Sequence, residues 1–168
     1  MGGSVRFFAA CLLGCGPRTP ETATVIEPGH SPLSPAISAG DSDSEYVGIT
    51  TCRSCHPAEA TIWDGSDHAH ARSTISAVNA GANPDCLPCH VTGMGAPTGW
   101  VGSRTPELEN VTCEACHGPG GEHSKIAGAP LSGGYGRLPR SAASCVGCHT
   151  TTTSPDFAFV EYWAKIRH

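Results

Sequence analysis

The chain has 168 residues and a formal charge of −5, which leaves room for one domain with accessory segments and argues against a nucleic-acid surface. Leu, Ile, Val and Phe together number 27, about 16% of the chain, against 21 Gly and 14 Pro. Those numbers exclude a core built from side chains alone, so buried apolar mass must come from disulfides, metals or cofactors.

The N-terminal stretch "MGGSVRFFAACLLGCG" places Arg6 before an apolar run, Phe7 to Leu13, far too short to span a bilayer as a helix. It ends in "LLGC", which resembles a bacterial lipobox. Residues 1–15 are therefore expected to be a signal peptide, with Cys15 as the lipidated first residue of the mature chain; an ordinary signal peptide with incidental Cys11 and Cys15 is the alternative. Residues 16–45 are rich in Pro, Ser, Thr, Gly and Ala and carry Arg18 against Glu21, Glu27, Asp41, Asp43 and Glu45. Such a segment reads as a flexible tether.

Residues 46–168 form the expected folded domain. It holds eight of the ten cysteines, in four pairs: Cys52/Cys55, Cys86/Cys89, Cys113/Cys116 and Cys145/Cys148. A histidine follows each pair at once: His56, His90, His117 and His149. The first cysteines lie 34, 27 and 32 residues apart, an irregular repeat with one site per unit rather than a solenoid. Helices are expected over "HPAEATIWDG" and over "SPDFAFVEYWAKIRH". In the latter Ser154 suits the cap and Pro155 the first turn, while Phe159, Trp163 and Ile166 share a face.

In Cys-x-x-Cys-His, residues i, i+3 and i+4 share one side of a helical turn. Two thiols so placed can form thioethers with the vinyl groups of a haem while the histidine reaches its iron, so the motif reads as c-type haem attachment. Zinc ribbons pair one Cys-x-x-Cys with another about 15–20 residues away and need no histidine after each. Thioredoxin-like motifs occur singly within a βαβ pattern absent here. The expectation is four covalently attached c-type haems, with the cysteines as attachment points and the four histidines as iron ligands. The expected fold is mainly α with little regular structure: a few short helices and long Gly/Pro-rich loops wrapped around four haems that become the core. Attachment of this kind takes place outside the cytoplasm, which agrees with the N-terminal segment. Haem propionates deepen the negative charge and favour redox partner proteins with basic docking patches.

Five histidines remain: His30, in the tether, His68, His70, His123 and His168. Imidazole is a preferred ligand of haem iron, which makes them candidates for the far side of each haem. Met94, close after His90, reads as packing. Here the chain resembles the cytochrome c-554-type multihaem cytochromes. The resembling stretches are "CRSCHPAEATIWDGSDHAHA", "CLPCHVTGMGAPTGW", "VTCEACHGPGGEH", and "SCVGCHT" followed by "FAFVEYWAKIRH". The resemblance implies crosswise ligation, with His123 on the iron of the first haem and His68 on that of the third. His168, at the end of a motif similar to the family's C-terminus, is the candidate for the fourth. The founding member uses a histidine before the fourth site, and "GRLPRSAASC" offers none. That member also lacks a distal histidine at its second haem. Val91 to Trp100 likewise contain none, so the second haem is expected to be open.

Bis-histidine ligation closes an iron to substrate and leaves an electron carrier, a non-enzymatic role, as the leading expectation. An enzyme acting on a small nitrogen compound or peroxide at an open haem is the alternative. A structural subunit of a larger haem chain is the third.

Overall fold

The computed structural model describes residues 45–126 and 141–168. The expected signal peptide, the lipobox at Cys15, His30 and all of the tether but Glu45 lie outside the described residues. Helices α1 (Ile49–Cys55), α2 (Pro57–Asp64), α3 (Ala71–Ala77), α4 (Leu87–His90), α5 (Cys113–His117), α6 (Gly121–Lys125) and α7 (Phe159–Ile166) alternate with 3-10 turns, among them Asp67–His70 and Pro106–Leu108. Among the described residues the β structure is one isolated antiparallel bridge, Val91 with Glu109. The fold is mainly α with few short helices, as expected from the sequence.

The sequence explains the brevity. His56 leaves helical geometry at φ −119°, ψ 57°, and Pro57 starts α2 at once, where its missing N–H costs nothing. The expected α2 forms and stops at Gly65. The last helix differs from expectation: α7 begins at Phe159, with Ala158 as its N-cap. Ser154 does not cap it because its hydroxyl lies 3.1 Å from His149 Nδ1 and its N–H donates to the Thr150 carbonyl. Among the described residues no helix exceeds eight residues, below the length at which an isolated helix holds in water. Tertiary ties must hold them.

One knot of such ties joins the middle of the chain. Val111 N–H donates to the His68 carbonyl at 3.2 Å, Trp63 Nε1 donates to the Val111 carbonyl at 2.8 Å, and Arg72 N–H donates to Asn110 Oδ1 at 2.8 Å. The hydroxyls of Thr92 and Thr112, 0% and 2% exposed, lie 2.9 Å apart. Thr92 Oγ1 also accepts from Thr112 N–H and donates to the Asn110 carbonyl. The segment entering α5 is thereby fixed to the segment leaving α4.

Among the described residues, the buried apolar side chains are Ala60, Ala69, Ala71, Ile75, Ala80, Cys86, Leu87, Val91 and Leu108. Four of these are alanines, each with little area to remove from water. The largest cluster, Ile75, Ala80, Cys86, Leu87 and Val91 with Met94 and Trp100 against it, lies between α3 and α4. Met94 packs here, as the sequence suggested.

Candidate haem sites

Each Cys-x-x-Cys-His stretch closes one helical turn. His56 N–H donates to the Cys52 carbonyl at 2.9 Å, and His149 N–H donates to the Cys145 carbonyl at the same distance. Cys86 is the N-cap of α4, which contains Cys89 and His90, and α5 contains all of Cys113, Cys116 and His117. In such a turn residues i, i+3 and i+4 share one side; the Cys86 sulfur of the second motif is held in a disulfide in this structure.

Six of the seven expected histidine ligands come together in pairs. His56 lies against His123 with ring centroids 6.0 Å apart, His149 against His68 at 6.1 Å, and His117 against His168 at 5.8 Å. A metal-bound imidazole nitrogen sits about 2 Å from the metal and the ring centre about 1 Å further, so two imidazoles on opposite sides of one metal stand about 6 Å apart. Rings in direct van der Waals contact would be closer. Every pair also joins one Cys-x-x-Cys-His histidine to one histidine outside the motifs. The residues present therefore fit an iron held between two imidazoles at the first, third and fourth sites.

The pairing departs from expectation in two places. His68 faces His149 of the fourth site and not His117 of the third, and His168 faces His117 and not His149. The backbone of His68 does follow the third site, through the Val111 bond described above. Its ring, however, turns away to the fourth. His168 stands beside His117 in a cleft lined in part by Trp63, His68, Cys113, His117, Ile166 and His168.

His90 is different. Its Nδ1 lies 2.6 Å from the Ala71 carbonyl, a bond that fixes the ring with Nε2 free for a metal. Among the described residues no imidazole faces it. His70 is exposed.

Burial lowers the pKa of His68, His117 and His149 below the ordinary imidazole value, with His149 adding to the effect at His68, and His168 and His56 at His117. Neutral imidazole is the form that ligates metal. The thiols of Cys52 and Cys113 lie close enough to shift one another's pKa, as do those of Cys89 and Cys148. Cys116 is pushed up to about 11 by burial, then by Cys145 and Cys113. The first site thus adjoins the third, the third the fourth, and the fourth the second. Among the described residues no three of His, Cys, Asp and Glu gather into a cage for a bare metal ion.

Sequence reasoning missed Glu114. It stands inside the third motif, yet is 3% exposed and accepts bonds from three backbone N–H groups. A carboxylate between two haem cysteines was the available signal, but nothing in the sequence says where it points.

Helical turns carrying paired cysteines and a histidine, with imidazoles one iron-width apart, are what a c-type cytochrome of the multihaem class would use. Residues 51–118 match the family described as cytochrome c554 and c-prime. The chain is 34% identical over 103 residues to cytochrome c-554 of Nitrosomonas europaea, covering 49% of this chain and 44% of that protein. It thus spans less than half the length of this curated relative. It also resembles the solved structure titled reduced state of cytochrome c554 from Nitrosomonas europaea, with a TM-score of 0.52, 28% identity, and coverage of 70% of this chain and 71% of that one. In sequence and in fold, the chain resembles the cytochrome c-554 family. For a cytochrome c, covalently bound c-type haem is implied at the paired cysteines.

Proposed function

We propose that the chain is an extracytoplasmic tetrahaem cytochrome that carries electrons between redox partner proteins. The observation that supports this most is the set of three imidazole pairs at 5.8–6.1 Å, each ready to close both faces of an iron. When bound, haem supplies reversible one-electron exchange. The protein residues do the rest: Cys52/Cys55, Cys86/Cys89, Cys113/Cys116 and Cys145/Cys148 fix four macrocycles, and His56, His90, His117 and His149 orient them. His123, His168 and His68 exclude other ligands at the first, third and fourth sites. The thiol contacts order the sites first, third, fourth, second, so that each adjoins the next and electrons can cross in short steps. The net charge of −5 suits docking on basic patches.

Residues 1–15 serve as a leader and Cys15 as a lipid anchor, with 16–45 as the tether to a domain over 46–168. No helix among the described residues is long and apolar enough to cross a membrane, so attachment by lipid at Cys15 would hold the protein to a membrane surface.

A second reading rests on His90. With no imidazole facing it among the described residues, the second site leaves room for a small ligand, and an enzyme acting on a nitrogen compound or peroxide would work there. One experiment tests both readings. Protein made in a host competent for c-type haem attachment is weighed, then titrated with carbon monoxide after reduction. A mass of four haems, with about one equivalent of carbon monoxide bound per four haems, is expected. Fewer than four haems overturns the tetrahaem reading, and no binding removes the open site and the enzyme with it.

A further inference from the structure

We propose that Glu114, a residue of the third motif, is the positioning residue that sets His123 opposite His56 at the first site. Its side chain is 3% exposed. Oε1 accepts from Val47 N–H at 3.0 Å and Gly120 N–H at 2.8 Å, and Oε2 accepts from Gly48 N–H at 2.8 Å and Val47 N–H at 3.2 Å. These donors belong to the two halves of another site. Gly48 is the N-cap of α1, which carries Cys52, Cys55 and the turn to His56. Gly120 is the N-cap of α6, which carries His123. One carboxylate therefore holds the start of both elements whose ends supply the 6.0 Å imidazole pair.

The surroundings leave this staple little freedom. Gly121 N–H donates to the Glu45 carbonyl at 2.9 Å, and a Cβ at Gly121 would stand 2.8 Å from that same oxygen, so the chain at α6 is pressed directly onto residues 45–48. Gly118 N–H donates to the Glu114 carbonyl at 3.0 Å, which anchors the turn at its other end. Only a carboxylate offers acceptors to all three donors at once. In Glu114→Gln one oxygen becomes an NH2 group that cannot accept, and a buried N–H loses its partner.

The inference rests on the reading that His123 ligates the iron of the first haem, and the test separates the two. Holoproteins carrying His123→Ala, Glu114→Gln and Glu114→Asp are compared with the parent by electron paramagnetic resonance and paramagnetic NMR, each haem being assigned through its own thioether cysteines. His123→Ala should make the first haem high spin, and added imidazole should restore it. Glu114→Gln should make a large part of the same haem high spin and restorable by imidazole, although the substitution lies in the third motif; Glu114→Asp, which keeps both acceptors but withdraws them by one carbon, should do so more weakly. The third haem should stay low spin in all of them. No change in His123→Ala overturns the ligand reading. A first haem altered in His123→Ala but unaltered in Glu114→Gln and Glu114→Asp overturns the role of Glu114 alone, as does a change confined to the third haem. Should Glu114→Gln fail to load four haems, Glu114→Asp carries the same comparison.

Discussion

Replacing Thr92 with Val keeps the shape of the side chain and removes one oxygen that three groups share. Thr112 N–H loses its acceptor, the Asn110 carbonyl loses its donor, and the Thr112 hydroxyl loses a neighbour at 2.9 Å. Thr92 is 0% exposed and its bond from Thr112 N–H is buried, so water cannot replace that partner, whereas the Asn110 carbonyl is only partly buried. A buried group left without its partner costs about 1–3 kcal/mol. The Thr112 hydroxyl can rotate, whereas the N–H and the carbonyl cannot, so the total should be about 2–4 kcal/mol. With a slope of about 4 kcal/mol per molar in guanidinium, the unfolding midpoint should fall by about 0.5–1 M. Thr92→Ser is the control, since it keeps the oxygen and loses only a methyl, at about 1 kcal/mol. Both variants are unfolded as holoproteins and followed by far-ultraviolet circular dichroism. If the Val variant unfolds as late as the Ser variant, the hydroxyl does not tie α4 to α5 as argued.

Three further outcomes follow from the same geometry. His68→Ala should turn the fourth haem high spin and His168→Ala the third, read by paramagnetic NMR assigned through the thioether cysteines; the reverse assignment would restore the crosswise pairing expected from sequence. Trp63→Phe removes the donor to the Val111 carbonyl and should cost about 1–2 kcal/mol, seen as a lower melting temperature with haem mass unchanged. Replacing all eight paired cysteines with Ser should leave a chain without fixed structure, because the described buried apolar residues are nine and four are alanine; well-dispersed amide resonances in that variant would refute the claim that haem supplies the core.

What the sequence made legible was local. The four Cys-x-x-Cys-His turns and α2 with Pro57 at its start depend on neighbours within about ten residues, where spacing and turn chemistry govern. Where the ring pairing departs from expectation, the cause is non-local. His68 and His168 exchange partners because a ring's partner is decided by how distant segments stack, and here the 109–112 segment fixes the His68 backbone while leaving the ring to face His149. The late start of α7 is instead a local matter, since the Ser154 hydroxyl faces His149, five residues before it, rather than a helix end. Glu114 and the Thr92–Thr112 bridge were invisible for a related reason: each bonds groups that are close in space and distant in the chain.

The short stretch from His68 to Ala71 serves two sites at once. His68 presents its ring to the fourth, and the Ala71 carbonyl grips His90 of the second. Between them runs the 3-10 turn Asp67–His70, in which each residue advances the chain by about 120°. Substitution at a position such as exposed His70 leaves that phase untouched. Adding or removing a single residue would swing one of the two groups about a third of a circle off its target. Length there is thus the constrained character: an insertion or deletion within the turn should disturb both sites, where a substitution at an exposed position of it disturbs neither.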